Sequence, residues 1–132
     1  MDSKNKKWSE DIHHQRATSQ CIYAYYPQVE SITILWNRSR ELGDSPHKWH
    51  IKPDERFYFH LSCEYRECVQ GGFNLTGDVR HAITHKNTQT GILPCCGWQD
   101  PKRYGHFHCE GVISYTISVE FEQPTSQQGQ LC

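Results

Sequence analysis

The chain has 132 residues, the length of one ordinary domain, and no feature of the sequence marks a second. Lys and Arg number 14 against 15 Asp and Glu, and the net charge of −1 argues against a protein whose main task is to bind nucleic-acid phosphates. Hydrophobic residues make up 36% and aromatic residues 12%, so we expect a small core built from rings and β-branched side chains. Seven cysteines and nine histidines are the unusual features, and they direct attention to metal binding.

The N-terminal sequence has no apolar run of signal-peptide length, and the longest apolar stretches fall far short of the roughly 20 residues of a membrane span. We therefore expect a cytoplasmic protein whose cysteines stay reduced. In that compartment cysteines more often bind metal or do redox work than form disulfides. Complete internal pairing is also impossible, because the number of cysteines is odd.

Three regions differ in composition along the chain. Residues 1–20 are polar, with scattered charge and little periodicity, and predict a flexible N-terminal arm or a short helix. Residues 21–122 contain the apolar patterns and predict a single folded domain. Residues 123–132 are polar and predict a disordered tail.

Composition and alternation predict the first strands of this domain. The stretch VESITILWNR, from Val29 to Arg38, has the Val, Ile, Thr and Trp content of a strand. The following RELGDSPH contains Gly, Asp, Ser and Pro and predicts a loop. Beyond it, Trp49 and Ile51 alternate with polar residues, which predicts a short edge strand.

Two later segments alternate with a period of two, the pattern of a half-buried strand. In RFYFHLSC the face that points inward contains Phe57, Phe59, Leu61 and Cys63. In GHFHCEGVISYTISVEF the alternation runs much further, and its inward face contains Phe107, Cys109, Ile113, Tyr115, Ile117, Val119 and Phe121.

The residues between these strands predict the main helix, from Thr76 to Lys86. Thr76 could serve as N-cap, Asp78 suits the helix dipole in the first turn, and His85 suits it in the last. The apolar stripe is narrow, so the helix should pack on the sheet. The sequence therefore predicts an α+β fold, with an antiparallel sheet of four to five strands and one main helix.

Four cysteines converge if the strands pair as expected. Cys63 ends an inward-facing row, and Cys68 follows it in a C-x4-C spacing. If the chain around the turn GWQDPKRYG pairs symmetrically about Lys102, Cys95 and Cys109 lie directly opposite each other, with Cβ atoms about 5 Å apart. Four thiolates so placed would make a tetrahedral site suited to Zn²⁺, a zinc-ribbon-like knuckle of four cysteines within a zinc-stabilised domain 21–122.

Other uses of these side chains stay open at this point. His106 and His108 are an odd number of residues from Cys109, so they face away from the metal unless a bulge changes the register. The cysteines could instead be buried free thiols of the core or a redox dithiol. Cys95 and Cys96 are adjacent, a spacing that gives a strained disulfide. The favoured interpretation is therefore that one of them is a metal ligand and the other has no part in the site.

A resemblance rests on the same residues. The order C-EYRE-C-VQGGFNLT, then C-C-GWQDPKR, then a cysteine before a long alternating strand, resembles small uncharacterised bacterial proteins of zinc-ribbon type. The similarity covers roughly residues 56–121. It implies Cys63, Cys68, Cys95 and Cys109 as the ligands, with Cys96 in a variable position. It implies no activity.

His81 and His85 stand at positions i and i+4 of the predicted helix, close enough to bind one metal ion. A hydrolytic H-E-x-x-H site would need Glu at position 82, where this chain has Ala82. A solvated helix face is therefore the favoured interpretation.

The predicted function is a non-catalytic zinc-binding module with one structural Zn²⁺ and a protein partner, without membrane insertion. A zinc-ribbon nucleic-acid binder is an alternative that the net charge disfavours. A small thiol redox protein or other small enzyme is the third possibility.

Overall fold

The computed structural model describes residues 3–39, 43–63, 68–99 and 109–122 of the chain. The helices are α1 (Ser3–Thr18), α2 (Ile22–Tyr25) and α3 (Thr76–His85). The longer strands are β1 (Val29–Arg38), β2 (His47–Ile51), β6 (Gln89–Pro94) and β8 (Val112–Phe121). The two-residue strands are β3 (His60–Leu61), β4 (Cys68–Val69), β5 (Phe73–Asn74) and β7 (Trp98–Gln99). The predicted tail at 123–132 lies outside the described residues.

The four longer strands form one antiparallel sheet in the order β2-β1-β8-β6. The β1 strand lies in the middle of this sheet, where Ile34 pairs with Trp49 on one side and with Ile117 on the other. Helix α3 packs on β8 and β6 through its buried stripe of Val79, Ala82 and Ile83. The predicted α+β fold, with a four-stranded antiparallel sheet and one main helix packed on it, is confirmed.

The core lies between α3 and one face of the sheet. The sheet contributes side chains that are at most 1% exposed: Val29, Ile32, Ile34, Ile51, Ile113 and Ile117. Inward-facing residues of β8 alternate with polar ones, as the sequence predicts, and Ser114 and Glu120 are exposed.

Helix α3 has the predicted span, but its N-cap differs from the prediction. Leu75 is the N-cap residue and makes no side-chain capping bond, so the prediction of Thr76 as N-cap is wrong. The backbone N–H of Thr76 donates to Asn74 Oδ1 (3.0 Å), and the Thr76 hydroxyl accepts the N–H of Phe59 (2.9 Å). Thr76 thus connects the helix to the neighbouring segment instead of closing its own first turn.

The segment from Arg56 to Cys63 is strand over a shorter stretch than predicted. Burial alternates as expected, since Phe57, Phe59 and Leu61 are buried, but only His60 and Leu61 belong to a strand. The backbone partners explain this difference. The N–H of Phe57 donates to the carbonyl of Gln20, whereas that of Phe59 donates to a side chain. Phe57 thus bonds to Gln20, whereas His60 and Leu61 pair with Asn74 and Phe73 of β5, so no one strand pairs with the whole segment.

The N-terminal residues, predicted as a flexible arm or a short helix, form the 16-residue helix α1. Trp8, Ile12 and Arg16 are partly buried at intervals of four residues, whereas the other described side chains from Lys7 to Thr18 are exposed. The Arg16 guanidinium lies 5.2 Å from the centre of the Trp49 ring. A single narrow stripe therefore attaches α1 to the domain.

Across the described ranges, each helix is too short or too polar to span a membrane.

Candidate metal centre

Four cysteine side chains from four separate elements meet at one end of the sheet. Cys63 follows β3, Cys68 lies in β4, Cys95 follows β6 and Cys109 precedes β8. Their sulfur atoms all lie within 4.8 Å of one another. The structure thus brings together the whole cysteine set that the sequence predicts as metal ligands.

The spacing of the sulfurs suits a tetrahedral metal. Cys63 Sγ lies 3.6 Å from Cys109 Sγ, and Cys68 Sγ lies 3.5 Å from Cys95 Sγ. Four thiolates about 2.3 Å from a Zn²⁺ ion would stand roughly 3.8 Å apart, so small movements would complete the coordination. The cluster is close enough to hold a metal ion.

The cluster is buried on three sides. Cys95 is 1% exposed, Cys109 5% and Cys68 8%, whereas Cys63 is partly exposed. A cavity of about 230 Å³ lies against Cys63 and Cys68 and is lined on its other side by Trp8, Ser9 and Ile12 of α1. Exchange of a bound ion with solvent would therefore run past Cys63.

The strand register that forms the cluster differs from the prediction by two residues. The N–H of Cys95 donates to the carbonyl of Gly111 (2.8 Å), and that of Cys109 donates to Gly97 (2.9 Å). Cys95 and Cys109 are therefore not directly opposite, and the prediction of symmetry about Lys102 is wrong. A shift of two residues leaves a side chain on the same face, so the two thiols still meet.

The pairing of β7 explains how Cys68 reaches the other ligands. Instead of continuing the β6–β8 hairpin, Trp98 pairs with Val69, and Gln99 pairs with Cys68. This small second sheet brings Cys68 beside Cys95, which the hairpin symmetry could not predict.

Two glycines leave room for the sulfurs. An ideal Cβ at Gly71 would overlap Cys68 Sγ and would lie 2.8 Å from Cys95 Sγ. An ideal Cβ at Gly97 would lie 2.6 Å from Cys68 Sγ. Real Cβ atoms do not approach sulfur this closely, so any side chain at either position would displace the cluster.

Backbone N–H groups point at two of the sulfurs. Cys95 Sγ accepts the N–H of Gly72 (3.2 Å) and of Gly97 (3.3 Å), and Cys109 Sγ accepts that of Gly111 (3.4 Å). Such donors stabilise a thiolate and are the outer-shell contacts expected around a metal-bound cysteine.

The thiols also share protons among themselves. Hydrogen bonds from Cys63 and Cys68, and then those from backbone N–H groups, lower the pKa of Cys95 against the opposing effect of burial. Hydrogen bonds to Cys63 and Cys95, together with burial, raise the pKa of Cys68. The opposite directions of these two pKa shifts have the same main cause, the hydrogen bonds among neighbouring thiols.

Cys96 lies outside the cluster, as the favoured interpretation has it. Its thiol is exposed and donates to the carbonyl of Gln70 (3.6 Å). Partial burial, followed by the neighbouring Cys95, raises the pKa of Cys96. A raised pKa makes Cys96 a poorer nucleophile near neutral pH and counts against a redox role.

The histidines occupy other places. His81 and His85 are exposed on α3 and are not members of the cysteine cluster. The candidates His106 and His108 lie outside the described residues. His60 lines the same cavity as Cys63 and Cys68, beside the cluster.

Sequence reasoning missed the contribution of Trp8. Its indole N–H donates to the carbonyl of Gly71 (2.8 Å), in the turn between β4 and β5 that follows Cys68. Trp8 also meets the His60 ring edge to face, with centroids 6.3 Å apart. The spacing of Trp8 and Ile12, four residues apart in an otherwise polar segment, was the available signal.

Comparisons of this chain with protein-family models, with curated proteins and with solved structures found no match. The resemblance to zinc-ribbon-type proteins therefore stays a prediction, and the case for function depends on the geometry of the site.

Proposed function

We propose that the protein is a non-catalytic module that binds one structural Zn²⁺ through Cys63, Cys68, Cys95 and Cys109. The observation that carries this proposal is the convergence of the four sulfurs within 4.8 Å of one another. All-sulfur donor sets with near-tetrahedral spacing favour Zn²⁺ over Mg²⁺ or Ca²⁺, which prefer oxygen ligands.

A structural role follows from the number of ligands. Four cysteines fill a tetrahedral Zn²⁺ and leave no position for water or substrate. The metal would connect β3, β4, β6 and β8, of which two are only two residues long. Because binding joins elements that hold together weakly by themselves, its free energy becomes folding free energy. Cys63, Cys68, Cys95 and Cys109 form no disulfide and can bind the ion as thiolates. Cys21, in contrast, is disulfide-bonded, so the expectation that all the cysteines stay reduced is wrong.

A protein is the partner that the surface favours. Ile92 is 73% exposed and Trp98 is 42% exposed, on the two strands on either side of Cys95. Trp is among the side chains that contribute most at protein interfaces. The net charge of −1 gives no general attraction to nucleic acid.

The test is removal of the metal from the purified protein. A strong chelator should abolish the near-ultraviolet circular dichroism signal and the cooperative thermal transition, and added Zn²⁺ should restore both. Magnesium added at the same concentration is the control and should restore neither. A protein that stays fully folded in chelator and contains no metal would overturn the proposal.

A further inference from the structure

Helix α3 presents a pair of imidazoles to solvent. His81 and His85 are one helical turn apart and exposed, and their rings stack with centroids 4.0 Å apart and planes inclined by 21°. Two nitrogens on one Zn²⁺, each about 2.0–2.1 Å from the ion, would be separated by roughly 3 Å or slightly more. A metal ion lies in the plane of each ring that binds it, so the two stacked rings must turn toward each other to share an ion, and their exposure leaves room for that rotation.

The hydrogen bonds of His85 fix its tautomer. Its Nδ1 lies 3.0 Å from the backbone carbonyl oxygen of His81, an atom that can only accept. Nδ1 must therefore carry the proton. The Thr84 hydroxyl, 3.2 Å from the same nitrogen, can accept as well. In the neutral ring, the Nε2 atom of His85 then keeps its lone pair.

The tautomer of His81 is fixed by a longer chain of bonds. The Tyr115 hydroxyl donates to Asp78 Oδ1 (2.8 Å), so it can accept a hydrogen bond from the Gln89 side chain, which also contacts it. With its amide N–H directed to Tyr115, Gln89 presents Oε1 to His81 Nδ1 at 3.0 Å. That nitrogen donates, and Nε2 of His81 also keeps its lone pair.

We propose that His81 and His85 form a two-histidine site for a divalent transition-metal ion of the Ni²⁺, Cu²⁺ or Zn²⁺ class, separate from the cysteine cluster. Metal-binding histidines characteristically donate their other ring N–H to a carbonyl or carboxylate, and both rings donate to a carbonyl oxygen here. Imidazole nitrogens suit this class of metals. The remaining coordination positions are open to water or to a ligand from another molecule.

The surroundings of the pair favour a cation. His85 is the last residue of α3, where the carbonyl end of the helix dipole is negative. Lys86 follows it, but the Lys86 ammonium lies over the Phe121 ring, 5.9 Å from the centroid. That position keeps the positive charge against an aromatic face of β8.

The test is calorimetric titration of Ni²⁺ into the full-length protein, with its cysteine cluster already loaded with Zn²⁺. We expect a Ni²⁺ site whose Kd weakens at least about tenfold in His81→Gln and in His85→Asn. His50→Gln, which removes an exposed histidine of β2, is the matched control and should leave that Kd unchanged. Unchanged Ni²⁺ binding in both helix variants would overturn the proposal.

A second measurement needs no variant. Long-range proton–nitrogen correlation spectra of the metal-free histidine pair should show both rings protonated at Nδ1. Protonation of either neutral ring at Nε2 would contradict the proposal.

Gln89 is a positioning residue, so Gln89→Ala should weaken Ni²⁺ binding and also shift the His81 ring toward the Nε2–H tautomer. A loss of stability alone would not shift the tautomer.

Discussion

At the scale of single residues, the cysteine cluster depends on two glycines, at positions where any side chain would collide with a sulfur atom. Gly71 and Gly97 leave the space that sulfur atoms occupy, and an ideal Cβ at Gly97 would also lie 2.7 Å from the carbonyl oxygen of Val69. Neither glycine has a positive φ, in contrast to Gly72 at +132°. Close approach to sulfur, and not backbone conformation, therefore accounts for glycine at these two positions.

Gly71→Ala should weaken Zn²⁺ binding without removing a ligand, because the new methyl group would push Cys68 Sγ out of the cluster. We expect a loss of about 1–3 kcal/mol in the free energy of unfolding of the metal-loaded protein, the cost typical of overpacking. Competition with a chelator gives the affinity, and urea denaturation gives the stability.

The control for this substitution is Gly77→Ala. Gly77 lies in α3 with open space around its Cβ position, so alanine should be neutral or should stabilise the helix by up to about 1 kcal/mol. If Gly71→Ala binds Zn²⁺ as tightly as Gly77→Ala does, the cluster does not hold the metal.

At the scale of elements, Tyr115 connects helix α3 to the β6–β8 pair. It pairs with Gly91 across the strands, and an ideal Cβ at Gly91 would lie 2.6 Å from the Tyr115 hydroxyl oxygen. The ring thus covers the glycine while its hydroxyl reaches Asp78. Burial, and after it the hydrogen bond and negative charge of Asp78, raise the pKa of Tyr115 to about 12.

This pKa predicts how stability changes at alkaline pH. An unfolded tyrosine loses its proton near pH 10, whereas the folded one keeps it to about 12. The unfolded state therefore releases a proton first, and the stability contributed by Tyr115 is complete below about pH 10 and is lost as pH rises toward 12. Urea denaturation between about pH 8 and pH 11.5 should show a steeper decline for the wild type than for Tyr115→Phe. Parallel declines would show that the tyrosine is not protected.

The sequence predicts those elements whose signal is local. β1, β8 and α3 each have a composition or period that can be read within about ten residues, and their spans or buried faces agree with the structure. The segment at Arg56–Cys63 has a clear period too but bonds to Gln20 and Thr76, which are remote in sequence. Alternation reports which side chains are buried and cannot report what the backbone bonds to.

In the candidate site, too, the sequence predicts which side chains take part but not how the backbone pairs. Cys63 and Cys109 could be selected from the face that each occupies, Cys68 from its spacing after Cys63, and Cys95 from its expected pairing with Cys109. All four meet. The register could not be derived, because the pairing of Trp98 with Val69 takes β7 out of the hairpin. The four cysteines still meet despite the wrong register, because an error of two residues preserves the face.

At the scale of the whole molecule, α1 is attached over the turn between β4 and β5, beside the cysteine cluster. The Trp8 indole donates to Gly71, and the partly buried stripe of α1 continues through Ile12 to Arg16 over Trp49. The contact between Trp8 and Gly71 joins residues 63 positions apart. Order in the N-terminal helix is therefore coupled to order around the cysteines.

Trp8→Phe should loosen α1 while the cluster keeps its metal. The substitution removes one hydrogen bond and part of the ring contact, a loss of roughly 0.5–1.5 kcal/mol for the hydrogen bond. Amide hydrogen exchange should become faster throughout α1 and stay unchanged in α3, which serves as the internal control. Unchanged exchange in α1 would mean that the helix is held by other contacts.

Elemental analysis of metal per chain tests whether these four cysteines hold one zinc ion. We would measure the wild type and five single serine variants: Cys63, Cys68, Cys95, Cys96 and Cys109. We expect one zinc per wild-type chain, lost or strongly reduced in four variants and retained in Cys96→Ser, whose thiol lies outside the cluster. A well-folded wild type without metal, or loss of zinc in Cys96→Ser alone, would contradict it.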